Sequence, residues 1–235
     1  MQLFFNPKLE PTDTVFVFDK EESKHIIKVL RKKEGDILFV TNGLGYLFKT
    51  FIKLASDTKC TVEVLSIELH QKPNYKLHLV VAPTKMNERF EWFLEKATEI
   101  GIQEITPIIC EHSERKIIKT DRYLKIIEAA MKQSLHYYLP ILNEPIAYKD
   151  FIQKDQIGQK FIAHCEEKDK KTLKNALLPN TDCTILIGPE GDFSVKEIQL
   201  ALDNSYIPVS LGSTRLRTET AAIVACHSMV FINEA

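Results

Sequence analysis

The chain has 235 residues, 44% of them hydrophobic and 27% charged, with a net charge of −1. That is the balance of an ordinary globular protein in water, long enough for one or two domains whose cores need neither disulfides nor metals. A globally basic nucleic-acid binder is excluded, so any such partner has to be held by a local patch.

Residues 1–70 alternate as strands do, at 14–19 (TVFVFD), 36–54 and 60–69, with Asn42-Gly43 marking a hairpin and a short helix predicted near 21–31. Several short strands around turns predict a small β-barrel. Lys24, Lys28, Arg31, Lys32 and Lys33 crowd ten residues that contain no acid. Alone, such a run is a solvated face; beside a small barrel it reads as an RNA-backbone footprint. QKPNY at 71–75 breaks the rhythm and divides the chain into 1–72 and 73–235.

From residue 76 the pattern turns to strands alternating with helices. Strands are predicted at 77–83, 105–110, 160–165, 184–188 and 209–212, and helices at 89–101, ended by Gly101, and 123–134. This is an α/β chain with a mostly parallel sheet. Trp92 and Phe93 fall in the first of these helices and are predicted to be core. The five cysteines are odd in number and lack CxxC spacing, so buried free thiols in a reducing compartment are expected, with no metal. The first residues are too polar, and too soon broken by proline, for a signal peptide, and no apolar run approaches a membrane span. A cytoplasmic protein is the expectation.

Two glycine loops stand at strand ends. In ILIGPEGDFSVKE, Ser194 and Glu197 form a capping box and Phe193 with Ile198 a hydrophobic staple, so the loop Gly188–Gly191 is short and stiff. It matches neither a P-loop nor a dinucleotide fingerprint, and read alone it is equally a tight strand-to-helix turn or a ligand loop. In VSLGSTRLRTETAA, Thr218 is predicted to cap the last helix with Glu219 in its first turn. The two loops are expected side by side at one edge of the sheet, at the carboxyl ends where open α/β sheets bind ligands, cradling a planar group such as adenine.

GPEGDFS together with LGSTRLRTETA resembles the SPOUT methyltransferases, specifically the ribosomal small-subunit methyltransferase E family. HIIKVLRKKEGD (25–36), KATEIGIQEITPI (96–108), HSERK (112–116) and KQS (132–134) are similar to further signatures of that family, so the resemblance spans nearly the whole chain. It departs at Leu135-His136, where the family commonly has Gly-Arg, and at Asp192, where a third glycine is frequent. The resemblance implies a PUA-like N-terminal barrel and a SPOUT-type parallel sheet with a deep trefoil knot, assembled as a homodimer. It implies methylation of N3 of a uridine in 16S rRNA of the small ribosomal subunit, uridine 1498, with S-adenosyl-L-methionine as donor. The cofactor-binding residues it implies are Ile187, Gly188, Pro189, Glu190 and Gly191, then Leu211 and Gly212, then Leu216, Arg217, Thr218, Glu219, Thr220 and Ala221.

Methyl transfer from a sulfonium needs alignment and electrostatics rather than covalent help. Arg217 stays protonated, so it cannot be the base; it can stabilise charge spreading onto uracil O2 or O4 as N3 loses its proton. Glu190 and Glu219 are the candidate carboxylate bases, with bulk hydroxide as a third route, and Glu219 also reads as a helix-start residue. His25 joins the basic patch as an RNA contact. Arg115, with His112 and Lys116, is a second RNA contact, while Arg215 either meets phosphate or pairs with an acid. His164 ends a strand and reads first as a satisfied strand-end histidine, with a place beside the expected pocket as the alternative. Ribose 2′-O methylation, a non-catalytic RNA-binding module and an adenine-nucleotide enzyme are the alternatives.

Overall fold

In the computed structural model, which describes residues 1–166 and 170–234, the chain divides into two units: Met1–Lys72 with Met131–Leu139, and Pro73–Ala130 with Pro140–Ala235. The division expected from sequence differs in one respect, since residues 131–139 group with the first unit.

The first unit carries β1 (Leu3–Phe5), β2 (Val15–Val17), α1 (Lys20–Lys24), β3 (Ile37–Thr41), β4 (Tyr46–Leu54) and β5 (Thr61–Leu69). They form a curled sheet in the order β1-β3-β4-β5-β2, with β1 and β2 at its edges. The predicted hairpin is the antiparallel pair β3–β4. Its turn is held by Asn42, whose side-chain oxygen accepts from Leu44 N at 2.9 Å and whose amide donates to Leu9 O at 3.1 Å. Asp19 caps α1 through Glu22 N at 2.8 Å, and the helix continues as a π-type turn, His25–Val29. Inward-facing Phe4, Phe18, Ile26, Leu38, Val40, Phe48, Ile52 and Val62 make one core cluster, each such side chain contributing about 1.5–3 kcal/mol when fully buried.

Residues 131–139 belong here for a visible reason. Gly45 N donates to Tyr137 O, Leu139 N to Gly43 O and the Tyr138 hydroxyl to His70 O. Gly45 has φ +94, and any Cβ there would overlap the Tyr138 ring, so only glycine fits. Leu135, the first departure from the family pattern, has φ +58, a conformation in which glycine costs least.

The second unit holds β6 (Leu77–Val81), α2 (Asn87–Ile100), β7 (Glu104–Ile109), α3 (Thr120–Gln133, whose end falls in the first unit), β8 (Ile141–Leu142), β9 (Ile146–Ala147) and α4 (Tyr148–Ile152). β10 (Gln159–Ala163), β11 (Lys171–Thr172), α5 (Leu173–Ala176), β12 (Cys183–Ile187), α6 (Val195–Asp203), β13 (Ile207–Ser210) and α7 (Thr218–Asn233) follow. The strands pair in parallel in the order β11-β13-β10-β12-β6-β7-β8, with β9 also on β7. All five residues of β6 and of β12 are buried, as expected of parallel strands covered on both faces. Val80, Ile108, Ile162 and Leu186 pack with Tyr148, Phe151, Ile198 and Ala201 from α4 and α6. α7 packs on α2, β6 and β12, burying Ala222, Ala225, Cys226 and Met229. Gly101, at φ +108, ends α2.

Phe93 is buried, but Trp92 is 44% exposed, contrary to expectation. The helical period puts 90, 93, 94 and 97 inward and leaves 92 a quarter-turn outside the stripe. Four cysteines are buried, while Cys165 is exposed; burial pushes the Cys60 thiol up to about 11 and that of Cys226 to about 12.

Candidate functional site

The parallel pairing brings the carboxyl ends of β12, β10 and β13 to one side of the sheet. β10 lies between the other two, so the strands that carry the two glycine loops are not neighbours, and neither is an edge strand of the sheet. The two loops are nevertheless joined. The Thr218 hydroxyl donates to Gly188 O at 3.1 Å in a buried bond. Thr218 is the first residue of α7 rather than its cap; Arg217 holds the cap position and gives no side-chain hydrogen bond there.

The loop after β12 is fixed from several directions. Glu197 N donates to Ser194 Oγ at 3.3 Å and Ser194 N to Glu197 Oε2 at 2.8 Å, completing the predicted capping box. The other carboxylate oxygen of Glu197 accepts Glu111 N at 2.8 Å, and its carbonyl accepts the Tyr148 hydroxyl at 2.6 Å. Burial, reinforced by Glu197, holds the Tyr148 phenol well above its ordinary pKa, so it remains a donor. Phe193 and Ile198 share one core cluster, as the staple predicts. A Cβ at Gly188 would come within 3.1 Å of the Phe193 ring, and one at Gly191 within 3.1 Å of His112.

Asp192, at φ +63, is more than a prelude to the cap. Its carboxylate accepts Phe193 N at 2.8 Å and Cys165 N at 2.7 Å, tying this loop to the segment after β10. His112 Nδ1 lies 3.1 Å from Gly191 O and 3.0 Å from Asp192 O, so the proton belongs on Nδ1. Glu190 accepts Lys85 N at 2.9 Å. Arg115 donates to Thr84 O at 3.1 Å and to Lys85 O at 3.0 Å. Glu190 thus ties the segment between β6 and α2 to the glycine loop, and Arg115 ties the same segment to the stretch after β7.

The loop after β13 is held far less. Ser210 Oγ exchanges bonds with Gly212, donating to its carbonyl at 3.0 Å and accepting its amide at 3.3 Å. Ser213, Thr214, Arg215 and Arg217 are exposed, and neither guanidinium has a hydrogen bond or ion pair among the described residues.

Two hollows flank this loop. A cavity of about 580 Å³ lies over the ends of β10 and β13; Ala163–Glu166, Lys170, Val209, Ser210 and the loop from Leu211 to Leu216 line it, with Ala221 from α7. A groove of about 600 Å³ is lined by Glu88, Arg89 and Trp92 of α2 and by Arg215, Leu216, Arg217, Glu219 and Thr220. Arg215 and Leu216 belong to both walls. Of the expected cofactor residues, Leu211, Gly212, Leu216 and Ala221 line the cavity, and Arg217, Glu219 and Thr220 the groove. Ile187, Gly188, Pro189, Glu190 and Gly191 line neither and instead back the site through Thr218. His164, expected first as a strand-end structural histidine, lines the cavity. Cys165, Glu166 and Lys170 escape sequence reasoning; the signal available is the end of β10, a strand legible from its composition but not from its place between the strands that carry the two loops.

The basic patch lies in the first unit. Lys24, Lys28, Arg31 and Lys33 are exposed and Lys32 half-buried. Lys28 pairs with Asp57 at 3.4 Å and His25 with Glu22 at 3.0 Å, both at the surface.

A family model described as an RNA methyltransferase domain matches residues 70–230, and one described as an RNA methyltransferase PUA domain matches residues 18–65. A Buchnera aphidicola protein named ribosomal RNA small subunit methyltransferase E is 31% identical over 91% of this chain and 87% of its own length. A solved structure from Porphyromonas gingivalis, described as a probable rRNA-methyltransferase, superposes with a TM-score of 0.92 at 38% identity, over 100% of this chain and 99% of the other. A methyltransferase from Legionella pneumophila, solved with bound SAM, gives a TM-score of 0.88 at 30% identity, over 98% and 97% of the two chains. By full-length sequence relationship as well as by fold, the chain belongs to the ribosomal RNA small subunit methyltransferase E family.

Proposed function

We propose that this chain methylates N3 of a uridine in 16S rRNA, uridine 1498 in the family resemblance, with S-adenosylmethionine (SAM) as donor. The observation that carries the reading is the pair of hollows sharing Arg215 and Leu216, because a transfer between two ligands needs two adjoining sites. The cavity of about 580 Å³ has the size of a small-molecule site. Its lining suits a nucleoside with a zwitterionic tail: Ala163, Val209, Leu211 and Leu216 offer apolar walls, Ser210, Ser213 and Thr214 hydroxyls, and Glu166 and Lys170 opposite charges. A cofactor-bound relative of the same fold supports the choice of ligand.

When bound, the sulfonium supplies a methyl group already activated for transfer. The chain's own task is to place the acceptor and stabilise charge. Arg217 lines the groove, and its guanidinium, which bonds nothing among the described residues, can meet negative charge on uracil O2 or O4. The basic patch of the first unit holds the RNA backbone, and Arg215 adds a phosphate or base contact at the site. The family's trefoil knot, its homodimer and a cytoplasmic location are part of the same proposal; among the described residues no helix is long and apolar enough to cross a membrane.

Nucleoside analysis after incubation with SAM and small ribosomal subunits is the direct test. The expected product is 3-methyluridine; a ribose-methylated nucleoside would overturn the N3 assignment. S-adenosylhomocysteine should bind in calorimetry with a Kd of the order of micromolar, about −8 kcal/mol; absence of binding would point to a non-catalytic module. Neutralising Lys32 and Lys33 should lower the salt slope of RNA binding by roughly 1–2, since each phosphate neutralised by a basic side chain adds about 0.7–0.9 to that slope. An unchanged slope would remove the patch from the interface.

A further inference from the structure

We propose that the groove receives the acceptor base, with Trp92 as its stacking platform and Glu219 as the carboxylate that takes the N3 proton. This rests on the reading of the chain as an RNA base methyltransferase and names residues that reading leaves open.

Trp92 is the chain's one tryptophan, and it is 44% exposed on a helix whose Phe90, Phe93, Leu94 and Ala97 are fully buried. Its indole is not needed for the core. A base lifted out of an RNA stack needs a planar apolar surface, and stacking on an aromatic side chain contributes about 1–3 kcal/mol per base. Arg89, Arg215 and Arg217 line the same groove against Glu88 and Glu219. Three guanidiniums around an indole suit a pyrimidine on a polyanionic strand.

Glu219 supplies the second, independent observation. It is only 8% exposed, in the first turn of α7. One carboxylate oxygen lies 3.8 Å from Arg89 Nε. The other, Oε2, is buried and has no hydrogen-bond partner among the described residues, an arrangement that leaves a costly acceptor unfilled. The uracil N3–H is the donor that fits it. As the N3–H bond breaks, the proton passes to Glu219 Oε2. N3 forms its bond to the methyl carbon while the carbon–sulfur bond breaks, with that electron pair remaining on sulfur. The proton then leaves Glu219 for water. Arg89 is the positioning residue that orients the carboxylate. Glu190, the other candidate, already has an acceptor oxygen occupied by Lys85 N.

A single tryptophan makes the test clean. The full chain with S-adenosylhomocysteine is titrated with an rRNA fragment carrying the target uridine, and with the same fragment abasic at that position. Fluorescence quenching is expected from the first alone, with both fragments bound by anisotropy. Equal quenching by both, or a tryptophan signal that changes with protein concentration without RNA, overturns the platform; the latter would place a second copy over Trp92. Trp92→Leu should lower kcat/KM for RNA about 10- to 100-fold and leave S-adenosylhomocysteine affinity unchanged, with Trp92→Phe retaining most of the rate. Glu219→Gln should give a rate that rises about tenfold per pH unit, as hydroxide takes over; a pH profile matching that of the unaltered chain overturns the base. If the unaltered chain binds no S-adenosylhomocysteine, the methyltransferase reading fails and the groove assignment with it; if it methylates RNA without the uridine-dependent quench, the platform alone fails.

Discussion

The loops after β12 and β13 begin alike, with a glycine at the carboxyl end of a buried parallel strand, and then diverge. After β12, Glu190, Asp192, Ser194 and Glu197 each spend their side chains on backbone amides, and His112 bonds two of the loop's carbonyls. After β13, Ser213, Thr214, Arg215 and Arg217 are left exposed. The first loop is an internally satisfied support, and the second carries unspent functional groups toward two hollows. Charged side chains that bond nothing among the described residues are the ones available to a ligand.

The sharpest way to break this contrast is Arg217→Ala. On the open loop it should cost chemistry and little else: kcat falls about 10²- to 10³-fold, the magnitude of removing one transition-state donor, while S-adenosylhomocysteine affinity stays within about twofold. Its melting temperature should not move, since exposed substitutions away from structural contacts usually change stability by less than about 0.5 kcal/mol. A melting drop with kcat intact would reverse the roles assigned to the two loops. Glu197→Ala on the closed loop should do the opposite. It strips acceptors from Ser194 N and Glu111 N and ends the capping box, a loss of roughly 2–3 kcal/mol. The melting temperature should fall by roughly 5–10 °C, with cofactor affinity following only as the fold loosens. Thermal melts beside calorimetry separate the two outcomes.

The same contrast explains what can be read in the sequence. The closed loop is legible because its interactions are local: Ser194 and Glu197 are three residues apart, and Phe193 and Ile198 five, so spacing alone predicts them. The long strands and the helix over 89–101 are legible through their periods. Interactions that join distant segments leave no periodic trace, among them Thr218 to Gly188, Asp192 to Cys165 and Glu197 to Glu111. Strands of two residues such as Ile141–Leu142 and Lys171–Thr172 have no period to detect. Trp92 is misplaced because its aromatic character suggests core, although the helical period already sets it outside the stripe of 90, 93, 94 and 97. The placement of β10 between the strands that carry the two loops is a property of strand order, on which the sequence is silent, and with it go Cys165 and Lys170 as cavity residues.

The smallest effect tests the contrast at single-residue scale, at the two positions where a side chain replaces a glycine of the family pattern. Leu135 and Asp192 have similar dihedrals, φ +58 and φ +63, and both occupy a conformation that costs L-residues about 1–2 kcal/mol, less for Asp. Their side chains differ in what they do there. Leu135 is 37% exposed and its aliphatic group can make no hydrogen bond, whereas the Asp192 carboxylate holds Cys165 N at 2.7 Å and Phe193 N at 2.8 Å. Glycine at 135 relieves strain, offset by its extra unfolded-state entropy and by removal of the leucine's apolar packing, so Leu135→Gly should stabilise by no more than about 0.5 kcal/mol. Glycine at 192 relieves little, because aspartate tolerates this region, and removes two charge-assisted bonds; Asp192→Gly should destabilise by about 1 kcal/mol. Because Cys165 lines the cavity, the second change should also weaken S-adenosylhomocysteine binding several-fold, while the first leaves it alone. Opposite signs in denaturant midpoints, with only the 192 variant altering ligand affinity, would assign Asp192 to the support of the site; a shared sign would reduce both residues to backbone strain.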